Sequence, residues 1–431
     1  MIWLLAGLLV LLAAAGAPLF AVLGALALIG FHQAGQDGVA VAVEFYRLSD
    51  MPALIAIPLF TLAGYLLAES AAPRRLVRLT NALVGWLPGG LAIVAVLACT
   101  LFTAFTGATG VTIIALGAVL YPALRQAHYG ERFALGLLTA SGSLGLLLVP
   151  SMPLILYGVV AQQFHTTPPV SIDALFKAGV LPCLLMVVLL GLYSAWHQRG
   201  IARPPRASAG ELWAAFKDAA WEIPLPFLIL IGIYSGRLAA SEAAAATALY
   251  VLVVTVLIRR EIALGELPRV IRQAMVLVGG ILVILGFSLA ITNWLVDAEV
   301  PEKLFGLLNT HIPPDKPFLF LLALNLFLLV FGMLLEGFPA IILLVPLVLP
   351  VALKYGVDPV HLGIIFLANL QLGIFLPPLG INLYLASARF GRPVTVLVRA
   401  AVPFFLILLA ATLIVTYWPA LSLWLARPAT P

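Results

Sequence analysis

The amino-acid sequence specifies an all-α polytopic membrane protein, built as an inverted repeat with two re-entrant hairpins and two broken transmembrane helices. Three observations carry that reading. Of the 431 residues, 63% are hydrophobic and 10% charged, against about 25% charged in an ordinary soluble domain. With so few charges, the outer surface must face lipid. Apolar runs of the roughly 20 residues needed to cross a bilayer recur along the whole length. Landmark residues also return at a constant offset of 228: Pro73 with Pro301, Leu76 with Leu304, Pro122 with Pro350, Gly145 with Gly373 and Pro150 with Pro378. Such internal duplication is common among membrane carriers.

Hydropathy, with ends marked by Pro, Gly and charge, places single spans at 2–30, 51–70, 133–163, 174–197, 222–236, 240–258, 268–297, 360–388 and 396–426. The span at 222–236 is the shortest. The first is read as a retained helix, because no Lys or Arg precedes it and it outruns a signal-peptide core. Residues 88–126 and 317–355 are each a pair of apolar helices split by a short bent stretch, TGATG at 106–110 and EGFPA at 336–340. An amphipathic segment precedes each pair, at 73–86 and 301–312.

Charge orients the chain. With a cytoplasmic N-terminus and each split region a re-entrant hairpin, Arg47, Lys177, Arg237, Lys303, Lys316, Lys354 and Arg427 fall outside and the other sixteen basic residues inside. That obeys the positive-inside rule. The arm at 73–86 is then cytoplasmic and its repeat mate at 301–312 external, so the halves are inverted. The formal charge of +5 has no dense basic patch behind it, which argues against a nucleic-acid partner. Cys99 and Cys183 lie in apolar segments and read as small core residues. The six histidines sit at span ends or loops without metal-site spacing, and no HExxH, GxSxG or Walker motif occurs. A membrane enzyme is thereby disfavoured, and energy must come from an ion gradient or a separate protein.

Two spans break themselves at repeat-related positions, LLVPSMP at 147–153 and FLPPLGIN at 375–382. Backbone at membrane depth is left unpaired only inside protein or against an aqueous cavity. Freed carbonyls are hard oxygen ligands for a small cation, and half-helix N-termini present amide dipoles to an anion. Prolines that merely kink packed helices are the plain alternative. Each break with a hairpin tip makes a candidate cation site: Thr106, Gly107, Thr109, Val149 and Ser151 in the first half, Gly337, Leu376, Gly380 and Asn382 in the second. Thr106, Thr109 and Ser151 fit ordinary turn or cap roles as well. Ser141, Ser143, Asn369 and Gln371 precede the breaks, either on a substrate or cation path or as interhelical hydrogen-bonding groups. Glu336 either carries a proton or cation at the second tip or is interfacial. Glu242, beside Ser241, reads as a helix N-terminal cap.

At these residues the chain resembles the large membrane subunit of tripartite ATP-independent periplasmic (TRAP) transporters, the DctM type. The matching stretches are IAIPLFTLAGYLLAES (55–70), the first hairpin with TGATG, LLVPSMPLILYG (147–158), SEAAAATALY (241–250) and GVDPVHLGIIFLANLQLGIFLPPLGINLYL (356–385). The chain departs from the family pattern in Gly107, Ala108 and Thr109, where a Gly-Ser-Ser type tip is usual. It departs again in Ala239, Ala240 and Ser241, where Thr-Pro-Thr is usual.

The resemblance implies an elevator-type secondary transporter of the bacterial inner membrane. It implies Na+ as coupling ion, with no other metal, and an organic acid such as a C4-dicarboxylate or sialic acid as substrate. The expected partners are a small DctQ-type membrane subunit and a periplasmic DctP-type binding protein. The expected organisation is scaffold and cytoplasmic arm at 1–87 and transport half 1 at 88–163. Scaffold and periplasmic arm follow at 164–316, transport half 2 at 317–389 and a C-terminal helix at 390–431. A stand-alone ion-coupled organic-anion carrier and a non-transport assembly protein are the competing readings.

Overall fold

Apolar segments become helices, and Pro, Gly and polar residues end them. The computed structural model describes residues 17–164, 166, 169–198, 205–235, 237–377 and 380–426. Residues 2–16 of the expected first span, His165, most of the 199–206 loop, Pro378 and Leu379 of the second break and Arg427 lie outside the described residues. In chain order the helices are α1 (Leu19–Gln33), α2 (Val39–Arg47), α3 (Ala56–Glu69), α4 (Ala72–Val84), α5 (Gly90–Thr106), α6 (Thr109–Gln126), α7 (Glu131–Ser141), α8 (Met152–Gln162), α9 (Ile172–His197) and α10 (Ala209–Asp218). They continue as α11 (Pro224–Tyr234), α12 (Ala240–Leu252), α13 (Leu267–Asp297), α14 (Val300–Asn309), α15 (Pro317–Leu334), α16 (Gly337–Lys354), α17 (Pro359–Gly373), α18 (Ile381–Phe390), α19 (Val394–Tyr417) and α20 (Ala420–Leu423). Among the described residues seven helices are long and apolar enough to cross a membrane, or eight counting the bent pair at the first break as one.

The 228-residue offset holds at the level of helix ends. Shifted by it, α6 falls on α16 residue for residue, and α5, α7 and α8 begin within one residue of α15, α17 and α18. The offset also relates α13 to 39–69, where one continuous helix is matched by α2, two 3₁₀ turns and α3. Pro52 starts the second of those turns. It cannot donate the backbone hydrogen bond an unbroken helix would require there, whereas its repeat position in α13 is Gly280.

Two helices went unread in the sequence. One is α2, which lies between the spans placed at 2–30 and 51–70. The other is α10, a short surface helix with the capping box Ser208–Glu211, in which the Ser208 amide donates to Glu211 Oε2 at 2.8 Å and the Glu211 amide to Ser208 Oγ at 3.2 Å. The Ser208 amide and hydroxyl, both donating to Glu211 Oε2, hold the Glu211 carboxyl below its ordinary range.

The broken helices sit at the centre. Every residue of α17 is buried, as expected for a helix apolar on all sides. Packing crosses between halves, with α6 of the first hairpin against α18 and α16 of the second against α8. Helices α9 and α19 pack on the same central group, while α1, α3, α12 and α13 pack among themselves. Ser143 Oγ donates to the carbonyl of Gln371, its own repeat mate, at 3.3 Å, so the pseudo-two-fold axis passes between the breaks. Cys99 and Cys183 are free and buried.

On the arginine-rich side, the arm α4 is tied down by buried charge. Arg75, 6% exposed, donates from Nε to Glu222 Oε1 at 2.9 Å and pairs with Glu261 as well. Glu261 Oε2 also accepts the Ala71 amide at 3.0 Å. Burial opposes ionisation of Glu261, but its bonds to Arg75 and Ala71 outweigh that and hold the carboxyl below the usual range. Arg75→Ala strands two carboxylates, so the expected cost is about 3–5 kcal/mol, read as a lower thermal-unfolding midpoint in detergent. A depressed folded-state value stabilises above the ordinary carboxylate range and fades as pH drops through it. The gap between wild type and variant should therefore narrow below about pH 4.

Candidate functional site

Both breaks and both hairpin tips meet at one cavity of about 290 Å³. Gly107, Thr109 and Val111 supply the first tip, and Glu336, Gly337 and Phe338 the second. Leu146 and Pro153 flank the first break, Ile374 and Ile381 the second, and Tyr65 and Leu277 come from α3 and α13. The first turns of α6, α8, α16 and α18 thus all reach the wall. The first four amides of a helix lack intrahelical partners and carry partial positive charge. Among the described residues no Lys, Arg or His lines the cavity, so an anion there would meet backbone amides. A cation would meet carbonyls, hydroxyls and the carboxylate of Glu336.

The sequence reasons for this geometry are local. Helix α5 stops at Gly107, whose φ of +63° is left-handed and suits glycine. A Cβ there would also lie 2.9 Å from Met152 Cε. The first tip therefore breaks only at 107–108, and the second at 335–336; α16 runs through Pro339, inside the stretch expected to be bent.

The first broken helix turns through Leu144–Leu147 as 3₁₀ and resumes at Met152, a bend of 43°. At the second, the Gly380 amide donates to the Leu376 carbonyl at 2.9 Å and the Asn382 amide to the Ile374 carbonyl at 3.1 Å. Close backbone approach locks each break to its hairpin at repeat-related positions. A Cβ on Gly145 would lie 2.4 Å from the Ala104 amide nitrogen, and one on Gly373 2.4 Å from the Gly332 carbonyl carbon.

Of the nine candidate cation residues three line this cavity, Gly107, Thr109 and Gly337, whereas Thr106, Val149, Ser151, Leu376, Gly380 and Asn382 are not in its lining. Thr109 Oγ1 donates to Asn382 Oδ1 at 2.8 Å, joining the first tip to the second break. Asn382 is fully buried and its Nδ2 has no hydrogen-bond partner among the described residues. Thr106 is 1% exposed, with only long 3.4 Å contacts to Ala108. Gly107, Thr109 and Gly337 line the cavity, Gly380 is buried, and Val149, 3% exposed, lies in the first break. Ser151 caps α8, accepting the Leu154 amide at 3.2 Å and donating to the Leu146 carbonyl. Leu376 carries the carbonyl that closes the Gly380 turn.

The expected substrate residues do not line the cavity. Ser141 donates to Leu137 O at 2.7 Å, and Gln371 Nε2 to Met186 Sδ at 3.0 Å. Asn369 Nδ2 donates to Asn325 Oδ1 at 2.7 Å, and Ser143 bridges to Gln371 O. All four are fully buried; Ser143, Asn369 and Gln371 bond to other helices, whereas Ser141 bonds within its own helix.

Glu336 is exposed and lines the cavity. Glu242 Oε2 accepts the Ala239 amide at 2.8 Å, the capping role expected of it. Sequence reasoning missed Thr103, whose Oγ1 lies 2.7 Å from Thr112 Oγ1 and donates to Gly142 O at 2.9 Å. The signal was Thr100, Thr103 and Thr106 at three-residue steps. It also missed Tyr65, one turn after Thr61 in α3, and Asn325, a lone polar group in the apolar run of α15.

Gly145→Ala and Gly373→Ala should each lower the unfolding midpoint, at a cost of about 1–3 kcal/mol for overpacking. Gly306→Ala, in α14 with open space around it, is the control and should be neutral or slightly stabilising.

Residues 4–421 match the family described as "Tripartite ATP-independent periplasmic transporter, DctM component". The chain is 34% identical over 386 residues to the C4-dicarboxylate TRAP transporter large permease protein DctM of Pseudomonas aeruginosa, covering 89% of this chain and 88% of that one. It is 32% identical over 373 residues to the sialic acid TRAP transporter large permease protein SiaM of Vibrio cholerae, covering 86% and 85%. The YdaH transporter of Alcanivorax borkumensis, described as having an unusual topology, shares the fold with a TM-score of 0.61 at 17% identity, over 90% of this chain and 89% of that one. With inverted hairpins and breaks around one membrane cavity, and with relatives that are permeases rather than enzymes, this chain belongs to the DctM family of TRAP transporter large permease subunits.

Proposed function

We propose that this subunit imports an organic acid across a bacterial inner membrane, driven by sodium and supplied by a periplasmic binding protein. The observation that carries the reading is the convergence of four half-helix N-termini and two breaks on one cavity without a basic side chain. Amide dipoles suit a carboxylate, and coupling cations supply the countercharge that the side chains do not. The cation ligands would be Thr106, Gly107, Thr109, Val149 and Ser151 in one half and Gly337, Leu376, Gly380 and Asn382 in the other. The body that moves in an elevator step comprises both hairpins and both broken helices. It also takes in α9 and α19, which pack on them although the sequence-based division set them apart.

Partners follow from what the chain lacks. The external segments among the described residues are short, and none is a soluble domain able to capture a scarce substrate. A DctP-type protein would dock on the face bearing Asp297, Glu299 and Glu302, and a DctQ-type subunit would complete the membrane part. Glu302 already pairs with Lys354 at 3.5 Å, so Asp297 and Glu299 carry more of the free charge. In proteoliposomes, this chain with its small subunit should show no rapid uptake under an inward sodium gradient until loaded binding protein is added. Saturable ion-driven uptake by this chain alone at the full rate would install the stand-alone carrier instead.

Sidedness has its own check. Cysteines introduced singly in 298–316 should react with an impermeant thiol reagent in intact cells, while those in 259–267 should not. Labelling of 259–267 from outside would invert the orientation.

A further inference from the structure

The repeat relates the spaces between helices as well as the helices. A cleft of about 630 Å³ lies between α6 and the scaffold residues Tyr65, Glu69 and Arg272. It shares Tyr65, Val111 and Ile114 with the central cavity, so that cavity opens toward the arginine-rich face. Moved by 228 positions, the scaffold side of this cleft becomes Asn293, Asp297 and Glu44, at the other end of the same helix group. A cavity of about 330 Å³ lies there, walled by Glu44, Arg47, Leu289 and Asn293. The wall that α6 supplies to the inner cleft is supplied here by α8, through Val159 and Gln162.

The second hairpin is seated on α13 instead. Ser288 Oγ donates to the Ile342 carbonyl at 2.8 Å, and both residues are buried. Their repeat mates, Phe60 and Ile114, are arranged differently. Ile114 is 46% exposed and shares the inner cleft with Tyr65 and Ala68, five to eight positions past Phe60 along α3. At 1.5 Å per residue that is an offset of roughly 10 Å between the seats of the two hairpins. A symmetric pair of halves thus holds an asymmetric position, open on one face and seated on the other.

We propose that the cavity at Glu44, Arg47 and Asn293 is the outer mouth of the organic acid's route, and that the Ser288–Ile342 contact is the seal between it and the central cavity in this state. The inference rests on the transport reading above. In the opposite state the hairpins exchange seats: Phe60 meets Ile114, the inner cleft closes, and Asn293 replaces Tyr65 beside the substrate. Each mouth then offers one guanidinium with a carboxylate nearby, Arg47 held by Glu44 at 3.2 Å outside and Arg272 in the cleft with Glu69 inside.

The test uses the full chain in membranes, on a Cys99→Ala/Cys183→Ala background. Ser288→Cys/Ile342→Cys and the image pair Phe60→Cys/Ile114→Cys are treated with a short bis-methanethiosulfonate. Both pairs should cross-link, and each cross-link should cut uptake at least about tenfold, a loss that reduction reverses. Should the buried Phe60 not tolerate replacement, Ile114→Cys alone serves. Its reactivity toward reagent applied at the arginine-rich face should fall when Ser288→Ala removes the seal's hydrogen bond.

Full uptake with the 288–342 pair cross-linked would overturn the seal. So would an image pair that never cross-links in a protein that transports, or Ile114→Cys reactivity indifferent to Ser288→Ala. Absence of uptake in both the wild type and the Cys99→Ala/Cys183→Ala parent would count against the transport reading, while the cross-linking and reactivity results still decide the seal.

Discussion

A peptide group left unpaired in hydrocarbon costs several kcal/mol, and the structure is arranged around where this chain leaves such groups. It interrupts its backbone four times inside the apolar layer, at 107–108, at 148–151, at 335–336 and between Gly373 and Ile381. Isolated in lipid, each interruption would be prohibitive. Brought to one cavity wall, they serve one another and whatever enters. The Thr109–Asn382 bond shows the principle: a hydroxyl at one tip satisfies an amide oxygen at the opposite half's break. Crossed packing of α6 on α18 and of α16 on α8 then follows, because each hairpin must cover the break of the other half as well as its own.

The inverted repeat is the economical way to meet that constraint from both faces of a membrane. Its footprint is backbone proximity rather than side-chain identity. Gly145 against Ala104 and Gly373 against Gly332 are the same contact made twice with different partners. Charge is left for the ends. The buried Arg75 cluster fixes the arm on the arginine-rich side, whereas the opposite arm is held through Lys354, which pairs with the exposed Glu302 and lies over the Phe305 ring. The two arms share a place in the repeat and differ in how firmly each is held.

Much of this was legible in the sequence because the rules involved are local. Hydropathy placed the long spans, Pro and Gly marked the breaks, and the 228 offset aligned the halves to within a residue or two. What escaped depended on partners distant in sequence. Nothing around Arg75 announces that Glu222 and Glu261 converge on it, nor does Thr103 reveal that Gly142 will accept its hydroxyl. Ser141, Ser143, Asn369 and Gln371 were correctly singled out as costly polar groups in an apolar layer. Which face of a helix turns to the cavity is set by packing, and Ser143, Asn369 and Gln371 meet neighbouring helices while Ser141 bonds back to its own helix. Helix α10 had a readable Ser-x-x-Glu start, but its few exposed apolar residues make no span.

We propose that the breaks are ion-binding backbone held open by tertiary packing. The most direct measurement is the thermal-unfolding midpoint of the purified subunit in sodium chloride against choline chloride at equal ionic strength. A ligand that binds only the folded state stabilises it by RT ln(1 + [L]/Kd), so the account predicts a midpoint that climbs with sodium in the wild type. In Asn382→Leu the climb should need a higher sodium concentration. Identical midpoints in the two salts across the concentration range would contradict it, and the breaks would then be kinks in packed helices.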